Sequence, residues 1–309
     1  MLKTSLLHIC LPFVTVLLAA ATATPARCDT VLRWKLTPGE TLRFVTQMKM
    51  VAKVGDGPTA FTTTSDQTIE MSWAVKSIDA DGVASVTQTF DRMRMKMTSP
   101  QGVMVDFDSA TNGETAGISK TLVPFLEAIV NKPISVRIDP RGDVSDVQVP
   151  QSMLDGMKKV PGMGSFFSGE TLGKLSGLGT LPKEAISKND AWTTEAGVDI
   201  PLFGEMKTQS KFRYLGSEIR NGSRLEKIGY TQQMVVTPAT EQSGNSMKFT
   251  DQSVAGTTYF DNIAGRIAES EVKSKMKIEV TTAGMTMKTD TTTQALMKLV
   301  RVETSKKPK

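Results

Sequence analysis

Histidine is almost missing from this chain. Its 309 residues contain one, His8, and two cysteines, Cys10 and Cys28. His8 and Cys10 fall in an N-terminal segment that reads as a removable leader, so the folded remainder has no imidazole and one thiol. That excludes a Ser-His-Asp or Cys-His nucleophile and a His-ligated zinc or copper site. A lone thiol forms neither an intramolecular disulfide nor a thiolate cage, so export would not staple the fold. Charge of one sign is also scarce. Lys plus Arg total 37 against 32 Asp plus Glu. Setting aside Lys3 and the three lysines of the 305–309 tail leaves 33 against 32. The basic balance is a tail effect, and nothing points to the basic face that nucleic acid would need. Beyond the leader there is no apolar run long enough to span a bilayer.

The leader has three parts. Met1–Lys3 is a short basic start, Leu6–Ala21 an apolar stretch, and Ala21-Thr22-Ala23 the small-residue spacing read by a signal peptidase. A cut after Ala23, or second after Ala26, makes residues 1–23 a signal peptide. The protein is then expected in the periplasm or outside the cell. An uncleaved anchor would need an apolar run of about 20 residues. The alternative address is a lipid anchor through Cys28, although Pro25-Ala26-Arg27 lacks the aliphatic and small residues that usually precede a lipidated cysteine.

What is present is period two. Leu32, Trp34 and Leu36 alternate with polar residues up to Pro38-Gly39. Leu42, Phe44, Met48, Met50, Ala52 and Val54 then alternate with Arg43, Gln47, Lys49 and Lys53, predicting a long strand that forms a hairpin with 32–36. Further strands are expected around 69–75, 83–97, 103–107, 134–138 and 144–147, with turns at Asp79–Gly82 and Asp139–Gly142. The period changes over 114–131. Ile118, Leu122, Phe125, Leu126 and Ile129 share one helical face, with Pro124 expected to kink it. Met153, Leu154 and Met157 predict a short helix after Pro150. Residues 161–181 mix six glycines with apolar side chains and read as a flexible apolar flap. From Trp192 the chain is β again. Asn221-Gly222 signals a hairpin between 206–215 and 225–236, 237–256 reads as polar loop, and three strands follow at 256–261, 267–280 and 285–302.

The expected fold is mainly β: an antiparallel curved sheet or open barrel of about ten or eleven strands, with one amphipathic helix on the concave face. The expected organisation is one β domain over 24–304 and a basic tail at 305–309, with a two-half split near 182 as the alternative.

Four stretches resemble an uncharacterised family of secreted bacterial proteins: Leu32–Glu40, Ile138–Val144, Pro182–Trp192 and Tyr259–Ile267. That family has no assigned activity, so the resemblance implies no catalytic residue. In architecture the expected sheet is similar to periplasmic lipoprotein carriers, whose curved antiparallel sheet wraps around helices.

Candidate chemistry is thin. Ser270–Lys273 and Ser274–Lys277 match Ser-x-x-Lys, but on a predicted strand i and i+3 face opposite sides. Asp79, Asp81, Asp139, Asp143 and Asp146 fall in turns, where an aspartate bonds its own backbone. Methionine is abundant, with 18 residues. Met48 and Met50, Met93, Met95 and Met97, and Met285 and Met287 each share a strand face. They serve as core filler, as a soft wall for an apolar ligand, or as thioether ligands for Cu(I). The reading adopted is an exported, non-enzymatic envelope protein. Its concave face would hold a hydrophobic or lipid-like group against Met93, Met95, Met97, Phe166, Phe167, Leu172 and Leu175. No cofactor, metal or nucleic-acid partner is expected. The rival is a structural envelope protein with a filled core, and an enzyme working through an Asp/Glu pair comes third.

Overall fold

The computed structural model describes residues 29–111, 119–158, 180–200, 203–238, 244–282 and 284–304. Cys28, residues 161–179 of the glycine-rich stretch, and with them Phe166, Phe167, Leu172 and Leu175, lie outside the described residues.

Among the described residues, twelve strands form one antiparallel, curved sheet that does not close. They are β1 (Glu40–Val54), β2 (Phe61–Ile78), β3 (Ala84–Ser99), β4 (Gly102–Asp108), β5 (Ile134–Ile138), β6 (Val144–Gln148), β7 (Ala191–Ile200), β8 (Gly204–Arg220), β9 (Ser223–Thr237), β10 (Ser246–Asp261), β11 (Arg266–Thr282) and β12 (Met285–Thr304). The order across the sheet is β6-β5-β3-β2-β1-β12-β11-β10-β9-β8-β7, with β4 added on β3. The first and last strands therefore pair in the middle, from Glu40↔Thr304 to Val54↔Thr289. β2–β6 extend the sheet to one side and β11–β7 to the other.

Alternation decides which side chains face inward. Leu42, Phe44 and Thr46 of β1 stand opposite Trp73, Met71 and Ile69 of β2. These stand in turn opposite Gln88, Phe90 and Met93 of β3. Most of these residues belong to the hydrophobic core or pack against it. The outer face carries charge. Arg43 lies 3.0 Å from Glu303 and 3.3 Å from Asp91, and the Arg220 guanidinium sits 3.9 Å from the centre of the Tyr259 ring.

Among the described residues, two helices cover one side of the inner face. In α1 (Ser119–Ile129), Val123, Leu126 and Ile129 are buried in the core. Pro124 sits inside this helix. In α2 (Gln151–Lys158), Met153 is 1% exposed. The helices touch at Gly156, where a Cβ would fall 2.4 Å from Ala128 Cβ, so only glycine permits this approach.

The expected hairpin between 32–36 and β1 is absent. β1 pairs with β2 and β12, and residues 31–37 run outside the sheet as a strap. An extended segment keeps period two whether or not a neighbour pairs with it, and Leu32, Trp34 and Leu36 are all buried. The strap joins both sides of the molecule. Trp34 N–H donates to Pro140 C=O at 2.8 Å in the β5–β6 turn, and Lys35 N–H to Gly265 C=O at 2.9 Å in the β10–β11 turn. Its indole stacks on Trp73 at 5.8 Å and meets Phe260 edge-on at 5.9 Å. Thr30 exchanges two backbone bonds with Ile186, and Arg33 Nη1 donates to Pro182 C=O at 2.8 Å. All four stretches that carry the family resemblance thus meet in one clasp. A Cβ on Gly265 would lie 2.3 Å from Lys35 Cβ, so the crossing requires glycine there.

One more expectation changes, while the mainly β antiparallel fold is as expected. Among the described residues the sheet has twelve strands where about ten or eleven were expected, and the short helix expected after Pro150 is α2. Residues 246–256, expected as loop, belong to β10. They pair with β11 alone over most of that length, so their side chains stay half wet and read as polar.

Candidate functional site

Among the described residues, neither α1 nor α2 packs the inner face on the β7–β12 side. A cavity of about 770 Å³ lies between these strands, the β5–β6 turn at Gly142–Val144, and Thr180. Such a volume suits a small-molecule or lipid-sized ligand. Its apolar wall comes from Met206 on β8, Met234 on β9, Val272 on β11 and Ala295 with Met297 on β12. Strand alternation places them: Ala295↔Val272 are direct partners, and Met297↔Ser270 the next pair on that face.

Phe212 and Tyr230 form the floor, as part of an aromatic row laid across three strands. Trp192 stacks on Phe212 at 5.2 Å and 12°, and Phe212 meets Tyr230 at 5.7 Å. Tyr230 lies over Gly256, its direct partner on β10. A Cβ there would fall 2.3 Å from the ring and 2.6 Å from the Glu271 carbonyl oxygen. Burial pushes the Tyr230 phenol up, opposed by a hydrogen bond with Ser270. Ser270 Oγ also lies 3.1 Å from Thr258 Oγ1, and Gln232 Nε2 donates to Ser210 Oγ at 3.1 Å. The cavity therefore combines a thioether and aliphatic wall with neutral hydroxyl groups.

Beside it the sheet is parted. β9 and β10 pair only from Glu226↔Phe260 to Gln232↔Val254, although both strands run further. The Gln252 side chain stitches the seam: Met234 N–H donates to its Oε1 at 2.8 Å, and its Nε2 donates to Met234 C=O at 2.7 Å. An amide side chain replaces the missing backbone ladder at the residue that lines the cavity.

The methionines expected at a site lie together, away from this cavity. Met93, Met95 and Met97 face inward on β3, in the half that α1 covers. Met93 is core, and Met95 and Met97 pack against it, opposite Phe107 and Val105 of β4. None of the three lines the cavity. Met206, Met234 and Met297, which do, were not singled out from the sequence. Their signal was present as small and hydroxyl residues at inward positions of the later strands, such as Thr208, Ser210, Thr258 and Ser270, where a filled core needs bulk.

The other candidates resolve locally. Asp79 Oδ1 accepts from the N–H groups of Asp81 and Val83 at 3.0 and 2.9 Å. Asp139 Oδ1 accepts from those of Arg141 and Asp143 at 2.8 and 2.9 Å. These carboxylates hold their own turns. Both Ser-x-x-Lys stretches lie on β11. Asn221 and Gly222, at φ 49° and 79°, close the β8–β9 hairpin. A buried Glu226 accepts hydrogen bonds from Tyr214 and, at 2.9 Å, Ser217, and burial pushes the Tyr214 phenol up. Among the described residues, no group of three or more Asp, Glu, His or Cys side chains could hold a metal ion, and no helix is long and apolar enough to cross a membrane.

Residues 81–218 match the model of a family of unknown function (DUF6263). That stretch contains two of the four motifs noted above, Ile138–Val144 and Pro182–Trp192. No curated protein matches the chain. Among solved structures, a lipovitellin structure named for its lipid–protein interactions is similar over 89% of this chain, with 9% identity and a TM-score of 0.46. The chain spans 26% of that lipovitellin chain. A Bacteroides fragilis protein of YmcC-like fold, named as exported, matches over 89% of this chain and 100% of its own, at 9% identity and a TM-score of 0.27. A Vibrio parahaemolyticus domain named for outer-membrane lipoprotein sorting matches over 86% of this chain and 87% of its own, at 10% identity and a TM-score of 0.15.

Proposed function

We propose that this protein is an exported, non-catalytic binding protein that holds an apolar or lipid-like group against the inner face of β7–β12. The observation that carries this reading is the cavity of about 770 Å³, walled by Met206, Met234, Val272 and Met297 and floored by Phe212 and Tyr230. Methionine walls accommodate varied apolar shapes, because the side chain is unbranched and polarisable. Burying aliphatic surface there contributes roughly 25 cal/mol per Å². The parted β9–β10 seam opens beside the same wall. A non-catalytic role is supported by the turn aspartates, whose carboxylates bond their own backbones.

The test is native mass spectrometry of protein purified from its own host, paired with titration of an uncharged, environment-sensitive hydrocarbon dye. An added lipid-sized mass, and saturable dye uptake competed by that lipid, are expected. A clean unliganded mass with no dye uptake would overturn the reading in favour of a structural role for a filled sheet.

A further inference from the structure

The cavity wall differs from a fatty-acid site in its charge. Among the described lining residues only Asp143 and Glu195 are charged, both are acidic, and Glu195 holds an outward position of β7 opposite Gln209. Asp143, exposed and 3.6 Å from Arg141, stands at the rim, whereas Glu195 accepts from Gln209 Nε2 at 2.9 Å on the outer face. Deeper in, the polar groups are neutral: the Tyr230 phenol, the Ser270 and Thr258 hydroxyls, and the Gln232 amide bonded to Ser210. An ionised headgroup brought here would leave water without a cation among the described lining residues to pair with, which is costly in an apolar surrounding. It would also approach the like charge of Asp143 at the rim. A hydroxyl or ester oxygen meets donors and acceptors that cost little to rearrange, since each hydroxyl both gives and accepts.

We propose that the ligand is an uncharged amphiphile, an aliphatic chain ending in hydroxyl or ester oxygens. Its chain lies along Met206, Met234 and Met297, and its polar end meets the Tyr230–Ser270–Thr258 hydroxyls. This rests on the binding function proposed above and specifies what that site accepts.

The experiment is calorimetric titration of the full chain with three probes of equal chain length at pH 8: monolaurin, laurate and dodecyltrimethylammonium, each below its micellar concentration. Monolaurin should bind about tenfold more tightly than laurate, the size of one or two neutral hydrogen bonds made rather than lost. The double variant Tyr230→Phe/Ser270→Ala should keep its thermal midpoint and narrow that preference. Thr208→Lys, which puts a cation on the wall, should raise laurate affinity selectively. Equal or tighter binding of laurate by the unaltered chain overturns the neutral-ligand proposal while leaving the binding function standing. Tighter binding of the cationic probe does the same. If none of the three saturates, the binding function fails with it.

Discussion

The two sides of the sheet solve the same burial problem differently. On the β2–β6 side, inward residues are large: Trp73, Val75, Phe90, Met93, Val105 and Phe107 meet Val123, Leu126 and Ile129 of α1, and the space is filled. On the β7–β11 side many are small or hydroxylated, as at Thr194, Thr208, Ser210, Gly256 and Ser270, and a cavity remains. Both use antiparallel strands with outward charges. The difference lies in side-chain volume and in what is laid on the face. A sheet this wide leaves open space on its inner face wherever its inner layer is thin.

The clasp is the part both sides share, so the largest effect is expected there. Trp34→Ala removes the ring that touches Trp73 on one side and Phe260 on the other. It should cost about 3–5 kcal/mol, as large-to-small core substitutions do. Urea denaturation followed by tryptophan fluorescence and by far-UV circular dichroism should show both probes shifting together. If only one side loosened, the shared role of the strap would be wrong.

A smaller, one-sided effect is expected from Gly256→Ala. The new methyl would collide with the Tyr230 ring and the Glu271 carbonyl. About 1–3 kcal/mol of destabilisation follows from overpacking. Hydrogen exchange should quicken in β9 and β10 and stay unchanged in β2 and β3, while dye binding falls. Unaltered binding would remove Tyr230 from the floor.

The smallest effect belongs to the filled side and concerns pH. The Arg92 guanidinium, bonded to Asp108 at 2.9 and 2.6 Å, holds that carboxyl down at about 2, helped by the Ala110 N–H. A carboxyl depressed in the folded state adds stability above its ordinary value near 4, and that stability is lost as pH falls towards 2. The pair is partly exposed and salt-screened, so the contribution is slight. An NMR titration should place the Asp108 midpoint near 2 and return it to the ordinary carboxylate range in Arg92→Gln. A midpoint unchanged by that substitution would break the assignment.

Much of the sheet was legible because period two is a local property. The alternation through Leu42–Val54 and Arg92–Met97 marks β1 and β3 without any neighbour. The helix over Ser119–Ile129 was equally visible from its three-four spacing. The strap was misread for the same reason: Leu32, Trp34 and Leu36 alternate like a strand, and only a partner would make them one. β10 was partly missed because Ser246–Gln252 pair on one side and stay wet. The inward parity of Met93, Met95 and Met97 was correct, yet they fell on the half that α1 fills.

The amino-acid sequence by itself determined the antiparallel pattern, the turns held by Asp79 and Asp139, and the exclusion of histidine and multi-thiolate chemistry from the body of the chain. These depend on residue identity and near neighbours. Tertiary structure alone decided that Leu32–Glu40, Ile138–Val144, Pro182–Trp192 and Tyr259–Ile267 meet in one clasp, and that Met206, Met234 and Met297 share a wall. Residues up to about 230 positions apart along the chain are joined there by single hydrogen bonds, such as Lys35 N–H to Gly265 C=O. Which face a strand presents is written every two residues. What covers that face is settled only when the distant strands have paired.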